Sequence, residues 1–168
     1  LPSKTSGTKS FLDVGCGEGY AMSYFRDQGY AIKGLDFSSS GMQSKNPKCL
    51  DALITGDVGE LLQAQMDSGI RYDVIWLQNV LEHVLDPVEL LRALHNLVSP
   101  EGIAVITVPN DCSNIQKEAL ERGHIDKNFW VVPPDHISFF DNEDLANIAC
   151  ETVWHVMDLL GDFPIDWY

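Results

Sequence analysis

Short apolar runs alternate with helical patterns along the chain, and this alternation constrains the fold more than any other feature. Strand candidates lie at residues 11–15, 31–36, 52–56, 72–77, 103–109 and 154–160. Several are continuous Val/Ile/Leu runs, the pattern of parallel strands covered on both faces. Helix candidates lie at 19–28, 39–46, 59–67, 87–98 and 142–150. The 87–98 segment is the best marked. Asp86 caps it, Pro87 suits its first position, and Glu89 completes a capping-box spacing with Asp86. Leu91, Leu94 and Val98 share one face, and Pro100 and Gly102 end the pattern. The order predicts an α/β fold: a doubly wound, mainly parallel sheet with helices on both faces. No linker or repeat divides residues 1–168, so one domain is expected.

The stretch FLDVGCGEGY then narrows the ligand. Gly15, Gly17 and Gly19 follow the first strand directly, where a turn lets a ligand approach the backbone near a helix N-terminus. The dinucleotide fingerprint G-x-G-x-x-G fails, because its third place falls on Tyr20, and no G-K-[ST] follows for a P-loop. Asp13 and Glu18 flank the turn, and no Lys or Arg follows them before Arg26. A pyrophosphate would be repelled there, whereas an ammonium or sulfonium group would be welcomed. Glu18 also suits the helix dipole alone.

Asp36 ends the second strand on the order of 20 residues after the turn, the place of a carboxylate that holds ribose hydroxyls. A helix cap is the competing role. In TGDVGE, Asp57 and the backbone of Val58 are placed to read an adenine edge, with a polar turn as the alternative. Three acids ending three successive strands fit one nucleoside: an adenosine that carries a cation and no phosphate.

These residues resemble a class I S-adenosylmethionine-dependent methyltransferase over nearly the whole chain. FLDVGCGEG is similar to that family's first motif, which implies Asp13, Gly15, Gly17 and Gly19 around the methionine end, with Cys16 among the cofactor-binding residues. GLDFS implies Asp36 on the ribose hydroxyls with Phe37 beside the adenine. GDV implies Asp57 and Val58 at the adenine, and YDVIWLQNVLEHVLDP implies Gln78, Asn79 and Val80 lining the pocket. LEHV and PPDHISFFDNEDL resemble the subgroup that includes the ubiquinone-biosynthesis O-methyltransferases and many small-metabolite enzymes. The resemblance implies S-adenosylmethionine as cofactor, S-adenosylhomocysteine as product, and a small-molecule methyl acceptor, with oxygen favoured. It also implies a final strand that this sequence does not carry, so truncation at both ends is expected.

A sulfonium methyl is already activated, so positioning is the main task and a base is needed only for a protonated acceptor. His136 is the first candidate for base or acceptor contact, and His83 the second, with a structural role under the glycine loop as its alternative. Cys112 to Pro134, with Phe129, Trp130, Pro133 and Pro134 followed by Phe139 and Phe140, reads as an apolar lid or a loop folded onto the core. No spacing in the sequence argues for a metal, and none is expected.

Eleven Lys+Arg against 25 Asp+Glu give a formal net charge of −14, which disfavours nucleic acid and anionic membranes as partners. Cys16, Cys49, Cys112 and Cys150 form no C-x-x-C pair, which fits reduced thiols in the cytoplasm. No apolar run approaches the ~20 residues that span a bilayer. The oligomeric state is not encoded in any readable pattern. The competing functions are a non-catalytic S-adenosylmethionine-binding regulatory module and, opposed by the acidic turn, a nicotinamide-dependent oxidoreductase.

Overall fold

The computed structural model describes residues 7–161 apart from Cys112, Phe129 and Val132. Among these, β1 (Ser10–Val14), β2 (Ala31–Asp36), β3 (Leu53–Thr55), β4 (Tyr72–Gln78) and β5 (Val98–Thr107) form one parallel sheet. The helices are α1 (Tyr20–Asp27), α2 (Ser40–Lys45), α3 (Val58–Asp67), α4 (Pro87–Leu97), α5 (Asn114–Glu121) and α6 (Asn142–Glu151).

The strand order is β3-β2-β1-β4-β5. The chain builds outward from β1 to β3, then returns to the other edge of β1 with β4. That reversal opens a crevice past the carboxyl ends of β1 and β4, where open α/β sheets take their ligands. Register holds the ends together: Val14 pairs with Leu35 on one side and Leu77 on the other, and Gln78 pairs with Thr107.

Alternation along β1 sorts its side chains between two cores. Leu12 and Val14 pack with Leu62 of α3 and Leu91 and Leu94 of α4. Phe11 packs on the other face with Met22 of α1 and Met42 of α2. Burial on both faces is why these strands read as continuous apolar runs, and each fully buried side chain contributes about 1.5–3 kcal/mol. Gly34 permits the close approach of α1. A Cβ there would lie 2.3 Å from Met22 Sδ and 2.8 Å from Cys16 Sγ.

The predicted elements differ from the fold in three places. β5 begins at Val98, before the expected 103, because Tyr72 pairs with Val98 while Val74 pairs with Ile103. The residues between bulge out of the ladder. The segment expected to be loop or lid contains α5, with Ser113 and Gln116 forming a reciprocal capping box. Cys112 and Phe129 of that segment lie outside the described residues.

The expected strand at 154–160 does not form. Trp154 instead turns onto α4, donating its indole N–H to the Leu91 carbonyl at 3.1 Å and meeting His95 edge to face. A strand exists only where a neighbour completes its ladder. Here the apolar run leads to Met157 and Leu160, which are exposed. At α4 the predicted cap is present, Asp86 accepting from Glu89 N–H at 2.8 Å.

Candidate active site

The turn after β1 is held by backbone bonds. Gly15 N–H and Cys16 N–H both donate to the Leu35 carbonyl, at 2.8 and 3.2 Å, and Gly19 N–H donates to Cys16 at 2.8 Å. Two glycines have distinct reasons. Gly15 has φ +72°, and a Cβ there would lie 2.4 Å from Val80 Cγ2, so its bareness lets the turn after β4 touch the loop. Gly17 has φ +50° and faces open space. A ligand can reach its backbone, and any other residue would be strained there.

Asp36 ties this turn to β2. Its Oδ2 accepts from Gly17 N–H at 2.8 Å and its Oδ1 from Ser38 N–H at 2.9 Å. Each oxygen keeps a further lone pair for a ligand hydroxyl. Phe37 beside it is 72% exposed, an uncovered aromatic face at the rim.

Asp13 is buried, and burial followed by the nearby Asp36 charge pushes its carboxyl up to about 7. A cation beside it would favour the ionised form. The Cys16 thiol is buried and pushed up, which leaves it inert as a nucleophile; its role is packing and backbone donation.

Asp57 is engaged as the cap of α3, accepting from Glu60 N–H at 3.0 Å, and Val58 is buried beneath it. Past β4, Gln78 is exposed and accepts from the Trp76 indole at 3.1 Å. Asn79 adopts φ +53°, a left-handed conformation in a non-glycine residue, and its N–H donates to Thr107 at 2.9 Å. Strain of this kind costs of order 1–3 kcal/mol and gathers at ligand sites.

The histidines meet across two segments. A short 3-10 turn, Leu81–His83, follows β4, and the loop carrying His136 folds onto it. The Glu82 carbonyl accepts from Ile137 N–H at 2.8 Å and Ser138 N–H at 3.1 Å, while His83 Nδ1 bonds the Asp135 carbonyl. The rings of His83 and His136 then lie 5.1 Å apart, edge to face.

Two acids that the sequence reading did not single out complete this cluster. Glu82 is 1% exposed, and its Oε1 lies 3.8 Å from His83 Nε2. Asp111 is 3% exposed, and its Oδ2 lies 3.9 Å from His136 Nδ1. Burial pushes the Asp111 carboxyl up, and His136 opposes the shift. The acid directly before His in LEHV was the available signal for Glu82. Asp111 carried none. Trp130 and Phe140 are buried while Phe139, Pro133 and Pro134 are exposed, so part of this loop folds inward and part faces solvent.

No helix among the described residues is long and apolar enough to cross a membrane. The family described as "Methyltransferase domain" matches residues 1–153. A ubiquinone biosynthesis O-methyltransferase of Pseudomonas paraeruginosa is 30% identical over 104 residues, 61% of this chain and 45% of that protein. The chain thus spans less than half the length of that relative. A methyltransferase structure from Archaeoglobus fulgidus has a TM-score of 0.66 at 23% identity, covering 87% of this chain and 61% of its own. The plantazolicin methyltransferase BamL, solved with S-adenosylhomocysteine, has a TM-score of 0.64 at 18% identity, covering 89% and 55%. These two likenesses bear on the fold, a parallel sheet of the methyltransferase type. With the motif residues gathered at the switch point of that sheet and the family matched across most of its length, this chain belongs to the methyltransferase domain family, as a class I S-adenosylmethionine-dependent domain.

Proposed function

We propose that the chain transfers the methyl group of S-adenosylmethionine to a hydroxyl oxygen of a small molecule. The observation that carries this reading is a juxtaposition. A glycine turn flanked by Asp13 and Asp36 stands past β1, and a histidine–carboxylate cluster stands past the neighbouring β4 and β5.

The turn supplies what the cofactor needs. Gly17 offers open backbone, Asp36 offers lone pairs to a ribose, and Asp13 offers a negative charge toward the cationic end. Phe37 stands ready to cover the adenine, with Asp57, Val58, Gln78, Asn79 and Val80 around the rest of the nucleoside. In the transfer itself the acceptor oxygen attacks the methyl carbon in line, the carbon–sulfur bond breaks, and its electron pair stays on sulfur. A hydroxyl must also lose its proton. His136, with Asp111 behind it and His83 beside it, serves that oxygen. The name of the Pseudomonas relative, a ubiquinone biosynthesis O-methyltransferase, supports oxygen as the acceptor atom. A net charge of −14 supports a small acceptor over nucleic acid.

The test is calorimetry with S-adenosylhomocysteine and with NAD, followed by methyl transfer from labelled S-adenosylmethionine to a panel of phenols, alcohols, amines and thiols. Saturable binding of the homocysteine product and labelling of phenols or alcohols is expected. Binding of NAD alone, or labelling confined to amines or thiols, would overturn the reading.

A further inference from the structure

The glycine turn is braced from outside by a segment that carries none of its motif. Helix α2 and the 3-10 turn Pro47–Ala52 lie against the loop after β1. Pro47 disfavours a helical backbone at Asn46, so α2 ends there and Asn46 takes φ −134° and ψ 59°. Its half-buried side chain reaches back 28 residues, and Nδ2 donates to the Glu18 carbonyl at 2.8 Å.

That bond fixes the Glu18–Gly19 peptide at both ends. Asn46 holds its oxygen, and the Cys16 carbonyl accepts from its N–H at 2.8 Å. The preceding peptide lies against Gly41 of α2, where a Cβ would stand 3.1 Å from the Gly17 carbonyl oxygen and 3.4 Å from the Glu18 nitrogen. Asp36 already holds the Gly17 N–H. Such fixing matters in this sequence. Gly15, Gly17 and Gly19 all have positive φ, and glycine loses more conformational freedom on ordering than any other residue. A turn left free would have to be ordered by the ligand, at the expense of affinity.

The brace is itself anchored on both sides of Asn46. Met42 and Cys49 are fully buried, in one cluster with Met22 of α1. Arg26 of α1 donates to both Asp51 oxygens at 2.7 and 2.9 Å, and Lys48 donates to Asp27 at 2.9 Å. The Asn46 amide is therefore presented from a fixed support.

We infer that Asn46 is a positioning residue for the cofactor, holding the glycine turn in its binding form before S-adenosylmethionine arrives. It acts through the Glu18–Gly19 peptide, and the bareness of Gly41 lets α2 come close enough for it to do so. The inference rests on the cofactor lying at this turn and is independent of the acceptor.

Asn46→Ala and Asn46→Leu are compared with the wild type by urea melts, calorimetry with S-adenosylhomocysteine, and amide hydrogen exchange followed by NMR. Both variants lose the donor, and Asn46→Leu keeps the bulk. Each should bind S-adenosylhomocysteine about 3–10-fold more weakly, the share of one neutral hydrogen bond. Support by bulk alone would spare Asn46→Leu. Exchange at the Gly17 and Gly19 N–H groups should quicken in the free variants and slow again at saturating S-adenosylhomocysteine, while the β1 and β4 amides keep wild-type rates. Where turnover is followed, KM for S-adenosylmethionine should rise and kcat should hold. Gly41→Ala presses on the same turn instead of releasing it and should also weaken binding. If the Asn46 variants fail to fold, Gly41→Ala decides by the same affinity and exchange readings. Unchanged affinity and exchange in folded variants, or a loss confined to Asn46→Ala, would overturn the role of Asn46 alone. A wild type that binds no S-adenosylhomocysteine would overturn the cofactor's placement at the turn, and this inference with it.

Discussion

From Asp13 to Asp36 the cofactor turn is built from backbone groups close in sequence, whereas from Glu82 to Phe140 the neighbouring cluster gathers side chains from distant segments that backbone bonds join. In the turn, Gly15, Cys16, Gly17 and Gly19 spend their N–H groups within 25 residues of sequence, and the side chains needed are few. In the cluster, Glu82 and His83 depend on Asp111, Asp135 and His136, and no single segment supplies a complete set. A site made of backbone tolerates change everywhere except at its glycines and its tethering side chains. A site made of gathered side chains is sensitive at each member, and its loss need not disturb binding next door.

The largest separation between the two regions should appear in His136→Ala. Methyl transfer is expected to fall by about 10²–10⁴-fold, the usual share of a group that handles the acceptor's proton or oxygen. Affinity for S-adenosylhomocysteine should stay at the wild-type value. Equal losses in turnover and cofactor affinity would show that the two regions are one unit.

Next in size is a contrast inside the turn. Gly15→Ala forces a side chain into Val80 at a left-handed backbone and should destabilise the fold by about 2–4 kcal/mol in urea melts. Gly17→Val should cost the fold less, because its Cβ meets open space, yet should abolish cofactor binding. A Gly17→Val protein that melts and binds as wild type would misplace the loop.

Asp36→Ala should weaken S-adenosylhomocysteine binding by about 1–3 kcal/mol, the range for charge-assisted hydrogen bonds. Calorimetry in two variants sharpens this. Asp36→Asn keeps an acceptor for Gly17 N–H and should lose less than Asp36→Ala if tethering the turn is half of its role.

The last contrast is with pH and concerns Asp13. Its carboxyl sits near 7 in the folded protein and at 3.8 in an exposed chain, so the folded state binds more protons between those values. Stability from this group therefore falls as pH rises from about 4 to 7, by at most about 1.4 kcal/mol per pH unit, and levels off above. Asp13→Asn should remove that slope. Subtracting the mutant's urea stability from the wild type's across pH 4–8 isolates it, and a flat difference would show that Asp13 is ionised throughout.

Much of the turn was legible because its signals are local. Alternate glycines, an acid ending each strand and the failed dinucleotide spacing all lie within short windows, and β2 emerges with the expected ends. The cluster was legible only in part. His83 and His136 stood out as residue types, but Glu82 looked like one more acid beside a histidine. Asp111 sat in a loop with no pattern. His83 and Glu82 lie 53 and 54 residues from His136 along the chain, beyond the reach of any local spacing pattern. The helix α5 could have been found from Ser113 and Gln116, whose capping-box spacing is a sequence signal. The 154–160 segment shows the reverse error, an apolar run that resembles a strand and has no edge to join.

The sequence by itself determined the parallel α/β sheet, the glycine turn and the cationic adenosine it accommodates. Each follows from periodicity, turn chemistry or charge acting over a few residues. Tertiary structure alone decided which acids lie beside which histidines, that Glu82 and Asp111 lose their water, and that Trp154 leaves the sheet for α4. Burial and long-range proximity are properties of the packed chain. A carboxylate's neighbours, and hence its chemistry, are set only when the segments after β4 and β5 fold over one another.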